Sequence, residues 1–379
     1  MRLAAAAAAA AARALAAGSA QPAHASRYLR LGIFDQGQTL YGGEAAFADY
    51  QALHVQELRI NLVWAAVAKK RPAAATDPAD PAYDWSTYDA AVRAAAADGI
   101  HVLLSIVGSP RWANGGKPQN SPPRAADDLR SFAIAAATRY SGSYEVGGAM
   151  LPAVREWTAW NEPNNPVFLV PQWRKTSSGW EIASAAEYTA ICNAVYSGVH
   201  TLPYSNERVA CGVTAPRGNN RPASARSSVS PLAFLRAVKK AGLKSFDAWA
   251  HNPYYSRPSE TPTTKPVTAN GAPPTAVVLG NLGDLTRTLT QLYGRKRLWL
   301  TEYGYQTSPP DTVFGVSYAK QSRYLTQAVA IARANPRVDL MLWFLLRDEQ
   351  SLGRWQSGLL TVAGEKKPAF AAFTAAAEG

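Results

Sequence analysis

Two glutamates stand out by residue type and context: Glu162 in Trp160-Asn161-Glu162-Pro163-Asn164, and Glu302 in Thr301-Glu302-Tyr303-Gly304. Each follows or closes a short apolar run, residues 154–160 and 298–301, of the kind that forms a buried strand. Two carboxyl groups facing one site can divide the work of cleaving a glycosidic bond. One protonates the leaving oxygen, and the other attacks or stabilises the oxocarbenium-like carbon. Competing chemistries find less support. The five histidines (His24, His54, His101, His200, His251) are scattered, and no Cys-x-x-Cys or His-x-His spacing occurs, so no metal site is expected. No Gly-x-Gly-x-x-Gly turn follows a strand-like run, so no dinucleotide and no other cofactor is expected.

The elements that would position the two glutamates form a series. Eight apolar runs recur, at 29–34, 58–64, 101–107, 154–160, 209–213, 246–250, 298–301 and 338–345. Amphipathic, Ala-rich segments with helical spacing separate them at 85–97, 125–140, 183–199, 231–241, 281–293 and 316–334, with a last one from Pro368. The first connection, around 44–52, is short for a helix. Strand and helix alternating eight times, with strands apolar on both faces, implies a single α/β domain folded as a (β/α)8 TIM barrel, with a doubly wound open sheet as the alternative. In such a barrel the C-terminal strand ends build the active site, so Glu162 after the fourth strand and Glu302 in the seventh would share one rim. With 379 residues, 47% hydrophobic and 17% charged, the chain can bury a large core. The Pro/Thr-rich stretch 256–274 does not break the rhythm and reads as a long sixth strand-to-helix loop.

Residues 1–25, with Ala23-His24-Ala25 as an Ala-x-Ala cleavage site, read as a secretory signal peptide, leaving 26–379 as the barrel domain. No later stretch reaches the ~18 uninterrupted apolar residues of a membrane span, so a secreted, extracellular protein is expected. Cys192 and Cys211 are the only cysteines; a disulfide tying a helix to the following strand and two separate buried thiols are the alternatives.

Taken together, Trp160-Asn161-Glu162-Pro163-Asn164 on the fourth strand and Thr301-Glu302-Tyr303-Gly304 on the seventh resemble clan A of the glycoside hydrolases, families 5 and 39 in particular. Ser109-Pro110-Arg111-Trp112-Ala113, Trp355-Gln356-Ser357-Gly358-Leu359 and Lys367-Pro368-Ala369-Phe370 are similar to segments of such barrels, so the likeness spans nearly all of 26–379. It implies a retaining double displacement, with Glu302 as nucleophile, Glu162 as acid and base, and carboxyl groups about 5 to 5.5 Å apart. It further implies that Asn161 holds the sugar 2-hydroxyl, that Arg59 hydrogen-bonds the nucleophile, and that Trp343 floors the subsite of the attacked sugar. In His251-Asn252-Pro253-Tyr254-Tyr255, family 5 relatives place a His and a Tyr two positions apart, whereas Tyr254 here follows His251 by three. The residue that touches Glu302 is left open between Tyr254 and Tyr255. Trp112, Trp173, Trp180 and Trp355 are candidates for further subsites, since aromatic faces suit the apolar C–H surfaces of sugar rings. An inactive carbohydrate-binding barrel and a transglycosylase using the same residues are the competing readings.

The formal charge of +12 raises the question of an anionic partner. No basic run interleaved with aromatics appears, so nucleic acid is not expected. Lys69-Lys70-Arg71 and Arg295-Lys296-Arg297 read as solvated clusters. Arg111, Lys117, Arg124, Arg174, Lys175, Arg217, Arg221 and Arg226 fall in expected rim loops and make an anionic glycan a candidate substrate. No feature calls for a partner chain, and a monomer is expected.

Overall fold

The computed structural model describes residues 26, 29–202, 206–268 and 271–379; the expected signal peptide at 1–25 lies outside them. Eight strands form a closed parallel barrel: β1 (Arg30–Phe34), β2 (Glu57–Val63), β3 (His101–Val107), β4 (Glu156–Ala159), β5 (Arg208–Thr214), β6 (Ala248–His251), β7 (Arg297–Tyr303) and β8 (Val338–Trp343). Each pairs with its neighbours in chain order, and β8 closes on β1, where Arg30 to Ile33 align with Leu340 to Trp343. The fold is a single (β/α)8 barrel, as the eightfold alternation implies.

Side-chain parity explains the apolar strands. Leu103, Ala210, Val213, Ala248, Ala250, Trp299, Leu340 and Leu342 make up a compact cluster inside the barrel. Their sequence neighbours Leu104, Cys211, Trp249, Leu298, Leu300, Met341 and Trp343 belong to the larger layer between strands and helices. Both faces of each strand are therefore buried, and small Ala side chains on β5 and β6 make room for Trp299 inside the barrel.

Helices cover the outside at Ser86–Ala97, Ala126–Arg139, Ala183–Val199, Pro231–Lys240, Leu282–Tyr293, Tyr318–Ala334 and Pro368–Glu378. The first connection departs from the sequence reading: it carries two helices, Gln36–Tyr41 and Gly43–Ala52. Asp35 caps the first by accepting from the Gln38 N–H at 3.1 Å, Gly43 turns the chain at φ +58°, and the second buries Ala46 and Tyr50, four residues apart. Two hairpins are also absent from the sequence reading: Glu145–Val146 with Ala149–Met150, in the loop leading into β4, and Arg174–Thr176 with Gly179–Glu181, in the loop after it. Of the 256–274 stretch, the described part runs without α-helix or strand, as expected of a loop. Cys192 and Cys211 are disulfide-bonded, with Cα atoms 6.0 Å apart, which joins the Ala183–Val199 helix to β5. Among the described residues no helix is long and apolar enough to cross a membrane, and no group of His, Cys, Asp and Glu could hold a metal ion.

Candidate active site

The chain leaves β4 through a strained turn. Trp160 and Glu162 adopt left-handed backbone angles, φ +68° and +38°, and Val213 at the end of β5 does the same at +44°. Non-glycine residues pay for that conformation, a β-branched valine most of all. The turn is pinned by backbone bonds from Trp160 N–H to Ile106 O at 2.8 Å and from Glu162 N–H to Val213 O at 2.9 Å. It breaks the alternation of the strand, so that Asn161 and Glu162 both line the central cavity. On β7 the pairing with β8 shifts register between Leu300 and Tyr303, an irregularity that re-aims side chains, and Glu302 joins the same cavity.

Arg59 on β2 organises the floor. Fully buried, it donates from Nη1 to Glu302 Oε1 at 2.8 Å and to Thr301 O at 3.2 Å. Its Nη2 donates to Asn161 Oδ1 at 2.9 Å and Asn61 Oδ1 at 3.3 Å, and its Nε to Ser105 Oγ at 2.9 Å. The guanidinium also lies 4.4 Å from the centre of the Phe34 ring. The Tyr254 hydroxyl donates to the other oxygen of Glu302 at 3.2 Å. Glu162 has amide partners instead: Asn252 Nδ2 on Oε1 at 3.1 Å and Asn165 Nδ2 on Oε2 at 2.9 Å. The Asn252 carbonyl in turn accepts from Thr301 Oγ1 at 2.7 Å.

These partners separate two otherwise similar acids. Burial raises both carboxyl groups. For Glu302 the Arg59 charge and the Tyr254 hydroxyl pull in the opposite direction. Glu162 is pushed up to about 7, first by burial and then by the charge of Glu302, against the two amide bonds. Both therefore stand above the ordinary carboxylate range, and the cation and hydroxyl bonded to Glu302 favour the charge there, whereas only neutral amides are bonded to Glu162. The cavity over them has a volume of about 1180 Å³ and is walled by Phe34, Gln36, Asn61, Phe344 and Trp355 among others, room for several sugar rings.

Similar architectures occur in solved structures. A family 39 glycoside hydrolase from Bacteroides cellulosilyticus superposes with a TM-score of 0.62 at 19% identity, over 93% of this chain and 64% of its own. A glucosidase from Croceicoccus marinus gives 0.66 at 14%, over 94% and 67%. A GH5_18 protein from Bifidobacterium longum subsp. infantis gives 0.59 at 15%, over 93% and 79%. The fold is shared with glycoside hydrolases. No family model and no curated protein matches the sequence.

Of the residues singled out in the sequence, Glu162, Glu302, Asn161, Arg59 and Tyr254 are brought together here. Tyr255 is not: its hydroxyl donates to Phe314 O and accepts from the Gln306 N–H, both at 3.0 Å, and its ring stacks on Tyr305. His251 and Trp343 also miss the cavity, for one reason. On β6 the inward residues are Ala248 and Ala250, so His251 points outward and Asn252 inward. His251 is fully buried and neutral, burial lowering its pKa to about 4; its Nδ1 faces Thr214 Oγ1 at 2.8 Å and its Nε2 faces Val277 O at 3.2 Å. On β8 the inward residues are Leu340 and Leu342, so Trp343 turns to the outer layer, donating from Nε1 to Ser357 O at 2.9 Å, and Phe344 takes the cavity wall. Counting parity from the strand interior would have exchanged His251 for Asn252 and Trp343 for Phe344. Asn165, in the loop after the turn, carries no such signal.

Among the aromatic candidates, Trp355 lines the cavity and packs against Tyr254 and Phe344. Trp180 is half exposed on its hairpin, Trp112 donates to Ala68 O at 2.8 Å, and Trp173 is partly buried against the core. The basic residues are redistributed as well. Of the eight rim residues only Arg217 lines the cavity, paired to Glu260 at 3.1 Å. Lys69, Lys70 and Arg71 are exposed, as expected, with Arg71 paired to Asp128 at 2.7 Å; in the other cluster Lys296 and Arg297 are half-buried, Lys296 Nζ donating to Phe246 O and Arg297 Nε to Asp339, both at 2.6 Å.

Proposed function

We propose that the protein is a secreted retaining glycoside hydrolase acting on a poly- or oligosaccharide. The observation that carries the reading is the unequal provision for two buried glutamates in one cavity: a cation and a hydroxyl on Glu302, neutral amides on Glu162. Glycosidase names on structural neighbours support it.

In the first step the Glu302 carboxylate attacks the anomeric carbon while the bond to the leaving oxygen breaks and Glu162 transfers its proton to that oxygen. The product is a glycosyl ester on Glu302 with Glu162 ionised. Glu162 then takes a proton from water, the resulting hydroxide attacks the same carbon, and the Glu302 ester bond breaks. Both groups return to their starting state and the anomeric configuration is retained. Arg59 keeps Glu302 anionic and, by holding Asn161 Oδ1, leaves the Asn161 amide nitrogen as the donor for a sugar hydroxyl. A slow fluorinated glycoside should leave a covalent sugar on the peptide containing Glu302, detectable by mass spectrometry. First-formed product of inverted configuration by NMR would overturn the two-step mechanism.

A further inference from the structure

We infer that Arg347 reads a carboxylate on the bound glycan, so that the substrate class is a uronate-containing saccharide; this rests on the glycosidase reading above. The loops after β1, β5 and β8 bring several charges to the cavity wall, and almost all are already engaged. Asp35 accepts backbone N–H groups from Gln38 at 3.1 Å, Leu346 at 3.2 Å and Arg347 at 3.1 Å. Asp348 is paired with Lys367 at 2.7 Å and accepts from Gly358 N–H at 2.8 Å. Glu349 accepts from Trp355 N–H at 2.9 Å and faces Arg354 at 3.9 Å. Arg217 gives its Nη2 to both oxygens of Glu260, at 3.2 and 3.1 Å.

Arg347 is different. Among the described residues its guanidinium makes no hydrogen bond, ion pair or aromatic contact, and its Nε, like that of Arg217, is buried without a partner. Its root is fixed, because the main chain bridges to Leu360 and donates to Asp35 Oδ2. The guanidinium lies beside Gly364, where a Cβ would stand 3.5 Å from Nη2, and both Arg347 and Val362 line the cavity. A half-buried cation without a counter-charge is an unfavourable arrangement unless a ligand completes it. A neutral hydroxyl would satisfy a donor but leave the charge. A carboxylate satisfies both, and its two oxygens match the planar fork of an arginine.

The test uses homopolymers of glucuronate, mannuronate and galacturonate, each beside its carboxyl-reduced neutral counterpart. Oligomers of each are titrated calorimetrically into Glu302→Gln, and the polymers are assayed for reducing ends with the unmodified protein. At least one charged member should be preferred about ten- to a hundredfold over its neutral partner. Arg347→Met should bring that ratio near one and Arg347→Lys should keep part of it, with thermal melts confirming that both variants fold. Equal binding within every pair, no binding of any uronate, or a preference that survives Arg347→Met would overturn the inference. So would a sulfated polymer of neutral sugars that competes better than the uronates. Selective binding without cleavage would instead count against the hydrolase reading and leave the uronate site standing, whereas efficient cleavage of the neutral partners would do the reverse.

Discussion

The barrel carries a pair of buried glutamates at each end, bonded by one arginine at the mouth and two at the base, and the mouth pair lines the cavity. At the N-terminal end, Glu57 of β2 and Glu156 of β4 lie against Arg30, Arg208 and Asp339. Arg30 meets Glu57 at 3.0 Å and Glu156 at 2.8 Å, and Arg208 meets Glu156 at 3.0 Å and Asp339 at 3.1 Å. At the mouth both carboxyl groups are raised, whereas at the base the two move in opposite directions. Glu57 is pushed up to about 8 by burial, with the charge of Glu156 adding to the effect, whereas Glu156, hydrogen-bonded by both arginines, is lowered despite its own burial. A divided pair of carboxyl groups therefore follows from burial and unequal partners, and does not by itself mark catalysis. At the mouth, access makes the difference: Glu162 and Glu302 line a cavity of about 1180 Å³, while Glu57 is fully buried.

The comparison breaks if the two ends respond alike to substitution. Glu302→Gln should lower kcat by about four to six orders of magnitude in a protein that still folds, its melting temperature lowered because the buried Arg59 loses its one hydrogen-bonded anion. Loss of folding instead of turnover would make the mouth a structural cluster like the base. Turnover should also fall about tenfold per pH unit above pH 7, because Glu162 must be protonated to donate. In Glu302→Gln, where the neighbouring charge is gone, carbon-13 NMR should find the Glu162 pKa lower than in the parent.

Glu156→Gln tests the other end. It deprives Arg30 and Arg208 of their shared partner and should cost about 2 kcal/mol, a figure reduced for the partial exposure of both arginines, with kcat unchanged. Glu57 is tested through pH. A carboxyl group whose folded pKa lies above its unfolded value stabilises the fold fully below the unfolded pKa and loses that contribution as pH rises through the folded one. Stability should therefore decline between about pH 4.5 and 8, and Glu57→Gln should flatten that decline in denaturant titrations. An unchanged slope would show that Glu57 does not titrate in this window.

Much of the architecture was legible because it is written in local periodicity. Apolar runs broken by turn residues marked all eight strands, and the Ala183–Val199 helix was legible to the residue. The Gln36–Tyr41 helix was less visible, since six residues held by an Asp35 cap offer little periodicity. Tyr254 and Tyr255 could not be told apart, because the decision lay in where the loop after β6 turns relative to β7.

By itself the sequence determined the barrel and the strands that bear the two glutamates, since these depend on alternation within single segments, while the arginine on β2 came only with the resemblance to family 5 and 39 barrels. Only the tertiary structure decided that Asn252 reaches Glu162 and Phe344 the cavity wall while His251 and Trp343 turn to the outer layer, and that among the described cavity-lining cations Arg347 has no partner for its guanidinium. Those outcomes depend on strand parity relative to the barrel axis and on which charges from distant loops neutralise one another, and both arise only when the ring of strands closes.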